Sequence, residues 1–307
     1  MRAFTLESFD TPPALRDDFP EPRIADNEVL VRVHVSSVNA VDAFIAAGGL
    51  KEMAEHEFPV TLGRDFAGVV EQVGSGVSRY RVGDEVFGFV LHANPTVRDG
   101  SWAELIAVPE DNMVAPKPRN VDFAEAGAAP LAALAALAAF DGLAPAKGAT
   151  VLVVGATGGV GSFFVQLAAS AGANVIAPAL PEDHDYLRGL SVSELVDRNA
   201  DLAAAVRESH PDGVDAILDT VSFTPDSTLL ADGGRLASPV GAAGEGPGRF
   251  NVMAEPTPSN LERLAELLDA GTLRVHIQRR YPFERAGEAL DALPATHTQG
   301  KIGLTIR

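Results

Sequence analysis

The 307-residue chain contains no cysteine. That excludes disulfides, thiol nucleophiles and every cysteine-held zinc site, and it fits a reducing, cytoplasmic setting. Basic residues are also scarce, 24 Lys and Arg against 42 Asp and Glu, so the formal charge is −18. No basic stripe interrupts that excess, which argues against nucleic acid or an anionic membrane surface as a partner. Long apolar runs are missing too. The most apolar segment, Ala126 to Phe140, would span about 22 Å as a helix, short of a ~30 Å hydrocarbon core. It contains Pro130, so a buried helix with a broken first turn is expected. The start, Met1-Arg-Ala-Phe-Thr-Leu-Glu-Ser-Phe-Asp10, lacks the apolar core of a signal peptide. The remaining composition, 46% hydrophobic and 21% charged, is that of a soluble globular protein of about two domains.

The most informative stretch is Val151-Leu-Val-Val-Gly-Ala-Thr-Gly-Gly-Val-Gly161. Four apolar residues suit a central parallel strand covered on both faces. Glycines follow at 155, 158, 159 and 161, and Ser162-Phe-Phe-Val-Gln-Leu-Ala-Ala then reads as a helix. Backbone without Cβ can turn tightly and lie close to a pyrophosphate, and the helix behind it offers unpaired N–H groups to that anion. A structural strand-to-helix turn would use the same glycines, but this setting favours a dinucleotide site over Gly155, Thr157, Gly158, Gly159, Val160 and Gly161.

The patterning changes along the chain. Val29, Val31, Val33 and Val35 alternate with Leu30, Arg32 and His34, the period of a half-buried strand. Further short strands are expected over Phe66–Val73 and Glu85–Val90. Residues 119–145 become helical, with Asp122 as N-cap and Glu125 three residues on, where a capping box wants it. From Thr150 strands and helices alternate, which implies a parallel sheet. Its strands are expected at Thr150–Val154, Asn174–Ala177, Ala216–Thr220 and Arg235–Pro239, with helices around 162–171, 183–189 and 200–209. Ser259–Ala270 reads as an amphipathic helix closed by Gly271. Val275–Tyr281 and Lys301–Ile306 are strands again, returning to the first domain.

Six blocks together resemble the zinc-independent quinone oxidoreductase branch of the medium-chain dehydrogenase/reductase superfamily. They are Ser37-Val-Asn-Ala-Val-Asp42, Leu62-Gly-Arg-Asp-Phe-Ala-Gly68, Val82-Gly-Asp-Glu-Val-Phe-Gly88, Gly155–Gly161, Asp219-Thr-Val221 and Gly300-Lys-Ile-Gly-Leu304. The resemblance covers the whole chain. It implies an α/β protein with a GroES-like antiparallel β domain over 1–118, completed by 272–307, and a Rossmann NADPH-binding domain over 119–271. It also implies a homodimer, and hydride transfer from NADPH to quinones or α,β-unsaturated carbonyls without a metal. The seven histidines show no H-x-x-x-H spacing.

The resemblance places Asn39 and Asp42 on the active-site wall. An amide such as Asn39 could donate to a substrate carbonyl; Asp42 and Asp65 are more often braces. Phe44 and Ala135 stand where relatives carry a lysine and a threonine, so the pocket is less polar, and Phe250 resembles a cleft-lining residue. Thr220, Gly241 and Ala242 fall at the ends of late Rossmann strands, where ligands gather. The second Rossmann strand has no acid until Glu182, which favours NADP over NAD. His184 and Arg198 fall near the family's 2′-phosphate partners. No general acid is evident, because Tyr80, Tyr186 and Tyr281 lie outside these blocks. Two alternatives stay open: a dedicated tailoring enoyl reductase with one hydrophobic substrate, and a non-catalytic NADPH-binding sensor.

Overall fold

The computed structural model describes residues 1–52, 57–91, 100–295 and 297–307. The chain divides into two compact units. One holds Met1–Leu131, Glu255–Ala270 and Val275–Arg307; the other holds Ala132–Ala254 and Gly271–Arg274.

The first unit is built from β1 (Ala3–Leu6), β2 (Ala14–Arg16), β3 (Glu28–Val38), α1 (Ala40–Ala46), β4 (Val60–Thr61), β5 (Asp65–Val73), β6 (Glu85–Phe89), β7 (Leu105–Pro109), β8 (Val114–Pro116) and α2 (Phe123–Ala128). A small sheet runs β2-β1-β4, and a seven-stranded sheet is organised around β3. Val29, Val31 and Val33 are fully buried and Arg32 and His34 half-buried, but Leu30, expected on the outward face with them, is buried too, so the alternation begins only at Val31. The alternation ends at Val35, because Ser36, Ser37 and Val38 are all buried and the serine hydroxyls are satisfied internally. Asp122 and Glu125 form the expected reciprocal cap: the Glu125 N–H donates to Asp122 at 2.8 Å and the Asp122 N–H to Glu125 at 3.0 Å. One helix with a broken first turn was the expectation for 126–140. Two helices are found, α2 and then α3 (Pro130–Leu143), because Pro130 has no N–H and belongs at a helix start.

The second unit carries β9 (Thr150–Val154), α4 (Gly159–Ser170), β10 (Asn174–Ala179), α5 (His184–Gly189), β11 (Glu194–Asp197), α6 (Leu202–Ser209), β12 (Val214–Asp219), β13 (Leu230–Ser238) and β14 (Arg249–Asn251). These strands form a parallel sheet in the order β11-β10-β9-β12-β13-β14. The order reverses between β9 and β12, the switch point at which open α/β sheets bind ligands. Leu152, Ile176, Val206, Ile217 and Leu236 meet in its core. Strands β11 and β14 escaped the sequence reading; both are short edge strands of four and three residues.

The chain then returns through α7 (Pro258–Asp269), β15 (Ile277–Pro282), α8 (Ala286–Ala295) and β16 (Lys301–Thr305). In α7 the Thr257 hydroxyl accepts from the Asn260 N–H, Pro258 opens the first turn, and Leu261, Leu264 and Leu268 are buried on one stripe. Helix α7 lies against β8 and belongs to the first unit. Strand β16 pairs antiparallel with β3 and parallel with β15. Among the described residues no helix is long and apolar enough to cross a membrane.

Candidate active site

The site residues expected from the sequence fall into two groups, one in each unit. In the second unit the glycine-rich turn joins β9 to α4. Gly155 has φ +84°, and a Cβ there would lie 2.2 Å from the Thr220 hydroxyl. Gly161 faces the Gly155 carbonyl so closely that a Cβ would sit 2.1 Å from it. Neighbours therefore demand glycine at both. Gly158, the N-cap of α4, differs: an added Cβ would meet only the Gly155 oxygen, at 3.5 Å. Packing does not require a bare backbone there, and the space beside it lies at the start of a 12-residue helix. Thr157 is buried, while Gly159 and Val160 are half-buried.

Other predicted cofactor residues follow the C-terminal ends of the same sheet. Thr220 comes directly after β12 and bonds the Val154 carbonyl through both its N–H and its hydroxyl, each at 3.1 Å. The Asp219 carboxylate accepts the N–H groups of Val221 and Ser222 at 2.9 and 2.8 Å, which fixes the turn beyond it. Gly241 and Ala242 lie past β13, with Gly241 at φ +78°. Arg198 is exposed just past β11, its N–H on the Ala179 carbonyl at 3.0 Å, and His184 is half-buried at the start of α5. Both therefore stand beyond the end of β10. Phe250 of β14 lies against Gly142 of α3, and Ala135 is buried in that helix.

In the first unit a buried polar corner forms where β3 turns into α1. Asn39 is the N-cap, and its backbone N–H donates to Asp42 Oδ2 at 2.8 Å. Its side-chain nitrogen donates to Asp65 Oδ2 at 2.9 Å and to Ser37 Oγ at 3.3 Å. Those two acceptors lie only 2.6 Å apart, on one side of the amide nitrogen, so they share one of its hydrogens and the other points away from them. The Asn39 oxygen accepts from Lys301 Nζ at 2.5 Å. Asp65 is the hub: it also accepts from Ser37 Oγ at 2.6 Å and the Leu131 N–H at 2.7 Å, and lies 3.5 Å from the Lys301 ammonium. Asn39, Asp42, Asp65, Arg64 and Lys301 are all buried, whereas Phe44, on α1, is half exposed. The sequence marked Asp65 as a brace but did not single out Lys301. A lone lysine in the otherwise apolar Ile302-Gly-Leu-Thr-Ile306 strand was the available signal. Among the described residues no three His, Cys, Asp or Glu side chains gather as a metal site would require.

Burial pushes the Asp42 carboxyl up to about 7; the charges of Arg64 and Lys301 and the Asn39 N–H oppose the rise, and Asp65 adds to it. Burial likewise lowers the Lys301 ammonium, against the pull of Asp65 and Asp42. In the folded chain Asp42 keeps its proton to about pH 7, but in the unfolded chain only to about pH 4. Its contribution to stability is therefore full below about pH 4 and lost as pH rises through about 7. Asp42→Asn should remove this loss. Between pH 4 and 7 the wild type should lose up to about 1.4 kcal/mol per pH unit relative to the variant in urea unfolding. Parallel pH dependences would contradict the assignment. At the other site, Gly161→Ala should destabilise by about 1–3 kcal/mol because the Gly155 carbonyl must move; an unchanged melting temperature would contradict the crowding.

Two family models match the chain. The alcohol dehydrogenase GroES-like domain covers residues 25–119, and the zinc-binding dehydrogenase covers residues 190–303. A quinone oxidoreductase of Rattus norvegicus is 31% identical, with 100% of this chain and 97% of that protein covered. An NADPH-dependent alkenal/one oxidoreductase of Arabidopsis thaliana, chloroplastic by name, is 30% identical over 94% of this chain and 74% of its own length. The solved structure of a quinone oxidoreductase from Coxiella burnetii superposes with a TM-score of 0.89 at 28% identity, covering 100% of this chain and 99% of that one. With the antiparallel sheet, the parallel sheet and this full-length similarity in hand, the chain belongs to the quinone oxidoreductase branch of the medium-chain dehydrogenase/reductase superfamily, oxidoreductases that use a nicotinamide cofactor.

Proposed function

We propose that the chain is an NADPH-dependent reductase of quinones or α,β-unsaturated carbonyls that works without a metal. The carrying observation is the glycine-rich turn at the switch point, where Gly158 leaves backbone bare that no neighbour requires to be bare. A pyrophosphate fits such a cradle. The turn residues Gly155, Thr157, Gly158, Gly159, Val160 and Gly161 would hold it, with the first-turn N–H groups of α4 as donors. Thr220, Gly241 and Ala242 would hold the nicotinamide end, largely through backbone. Arg198 and His184 would meet the 2′-phosphate that separates NADPH from NADH; no acid on β10 competes for a ribose hydroxyl. Bound there, the reduced nicotinamide supplies a hydride.

The chain's own part is to position and to exclude water. In the second unit Ala135 and Phe250 would give the acceptor an apolar surround, and Phe44 of the first unit is likewise apolar; this suits a hydrophobic substrate and keeps a dedicated tailoring reductase within this reading. Asn39 and Asp42 would form the polar wall, braced by Asp65. The proton that completes reduction comes from solvent in this proposal. Tyr80 is buried with its hydroxyl on the Val114 carbonyl at 3.1 Å, and neither Tyr186 nor Tyr281 belongs to the corner around Asn39. With no cysteine in the chain, a thiolate-held zinc is unavailable. Cytoplasmic location and a homodimer complete the proposal.

Fluorescence titration with NADPH and NADH, followed by a quinone and an enone, tests the reading. NADPH should bind at least tenfold tighter, and adding an acceptor should oxidise it. Binding without oxidation by any acceptor would favour a non-catalytic sensor, and no binding would refute the proposal. Gly158→Ala should melt within a few degrees of wild type yet bind NADPH about tenfold or more weakly, since its Cβ intrudes on the cradle and not on the protein. Arg198→Ala should cost about tenfold in NADPH affinity and leave NADH unchanged. Light scattering should return the mass of two chains; a clean monomer would refute the dimer.

A further inference from the structure

We propose that Lys301 is a positioning residue for the reductase reaction, acting through the Asn39 amide. Strand β16 carries it into the first unit beside the end of β3, where Ile302 pairs with Val38. Its side chain is buried, and the ammonium reaches the Asn39 oxygen at 2.5 Å, the Val38 carbonyl at 3.4 Å and Asp65 Oδ2 at 3.5 Å.

This arrangement leaves the Asn39 amide one orientation. Its oxygen faces a cation and its nitrogen faces a carboxylate, Asp65 Oδ2 at 2.9 Å. Turned over, the NH2 group would point at the ammonium and the oxygen at the carboxylate, two repulsions replacing two charge-assisted bonds. The backbone of the same residue is held separately, by Asp42 at 2.8 Å. Asn39 is therefore clamped at the side chain by Lys301 and Asp65 and at the main chain by Asp42. It is also the residue from which α1 starts, and α1 carries Phe44. Loss of the Lys301 bond frees the amide to rotate and loosens the wall at that point. A misplacement of about 1 Å in a positioning group is enough to cost a reductase up to about 100-fold in rate.

The inference rests on the reductase reading, so its test needs one readout that does not use turnover. Lys301→Met removes both donor and charge at similar volume; Lys301→Gln removes the charge and keeps a donor for Asn39. Three quantities are measured on each folded variant: kcat with a quinone, the dissociation constant for NADPH, and hydrogen exchange of the Asn39 side-chain amide by NMR. Positioning predicts a 10- to 100-fold lower kcat for Lys301→Met, unchanged NADPH affinity and faster exchange at Asn39. Lys301→Gln should recover most of the rate and of the protection. Wild-type rate and slow exchange in Lys301→Met would overturn the inference, as would a folded Lys301→Gln with neither recovered. Should Lys301→Met not fold, Lys301→Gln decides by what it fails to recover: a several-fold lower kcat together with faster Asn39 exchange supports the inference, and wild-type values of both overturn it. A wild-type chain that reduces no acceptor overturns the reductase reading instead, and the exchange rates still decide whether Lys301 holds Asn39.

Discussion

The first unit depends on one carboxylate. Asp65 gathers the Ser37 hydroxyl, the Asn39 amide, the Leu131 N–H and the Lys301 ammonium, so groups from β3, the N-cap of α1, the start of α3 and β16 converge on it. A buried charge is tolerated only when it is paired and hydrogen-bonded, and Asp65 meets both conditions. Removing a partner from such a pair characteristically costs about 3–5 kcal/mol because the other charge is left unpaired. The hub therefore ties elements far apart in sequence, from residue 37 to residue 301, into one arrangement.

The second unit solves a different problem with less polarity. Its turn is shaped by close backbone approach, Gly161 against the Gly155 carbonyl and Gly155 against Thr220. Thr220 in turn spends its N–H and hydroxyl on the Val154 carbonyl, and Asp219 holds the two N–H groups beyond it. The ends of β9 and β12 are thereby locked to each other. In the proposed reading an anion at this turn would meet the N–H groups at the start of α4.

The parts legible in the sequence were those with a local physical signature. The glycine spacing after Val154, the Asp122–Glu125 cap and the apolar stripe of α7 each report on residues a few positions apart. The division into an antiparallel and a parallel region followed from periodicity alone. Contacts between distant segments had no such signature. Nothing near Lys301 in sequence shows that a carboxylate at 65 and an amide at 39 await it. Nor does the sequence show that the Asn39 amide is held between the Lys301 ammonium and the Asp65 carboxylate. The edge strands β11 and β14 were missed because three or four residues are too few to show a period.

Why a charged corner persists where an apolar one would be as stable is a question of register. Strand β16 is buried at Lys301, Ile302, Gly303 and Leu304, on both faces, so it lacks the inside–outside alternation that usually sets strand pairing. Its neighbour β3 is likewise buried at four consecutive positions from Val35 to Val38, where the two strands meet. Hydrophobic burial alone would tolerate a slip of β16 along β3. A one-residue slip would turn Lys301 to the opposite face, away from Asp65 and Asn39, and leave an ammonium and a carboxylate each buried alone. The ion pair thus penalises the wrong register more than it stabilises the right one, the best-attested use of buried charge. Register at this point also decides where the Asn39 amide is held. The same lysine that selects the pairing of β16 with β3 therefore sets the geometry of the wall that the proposed reaction uses.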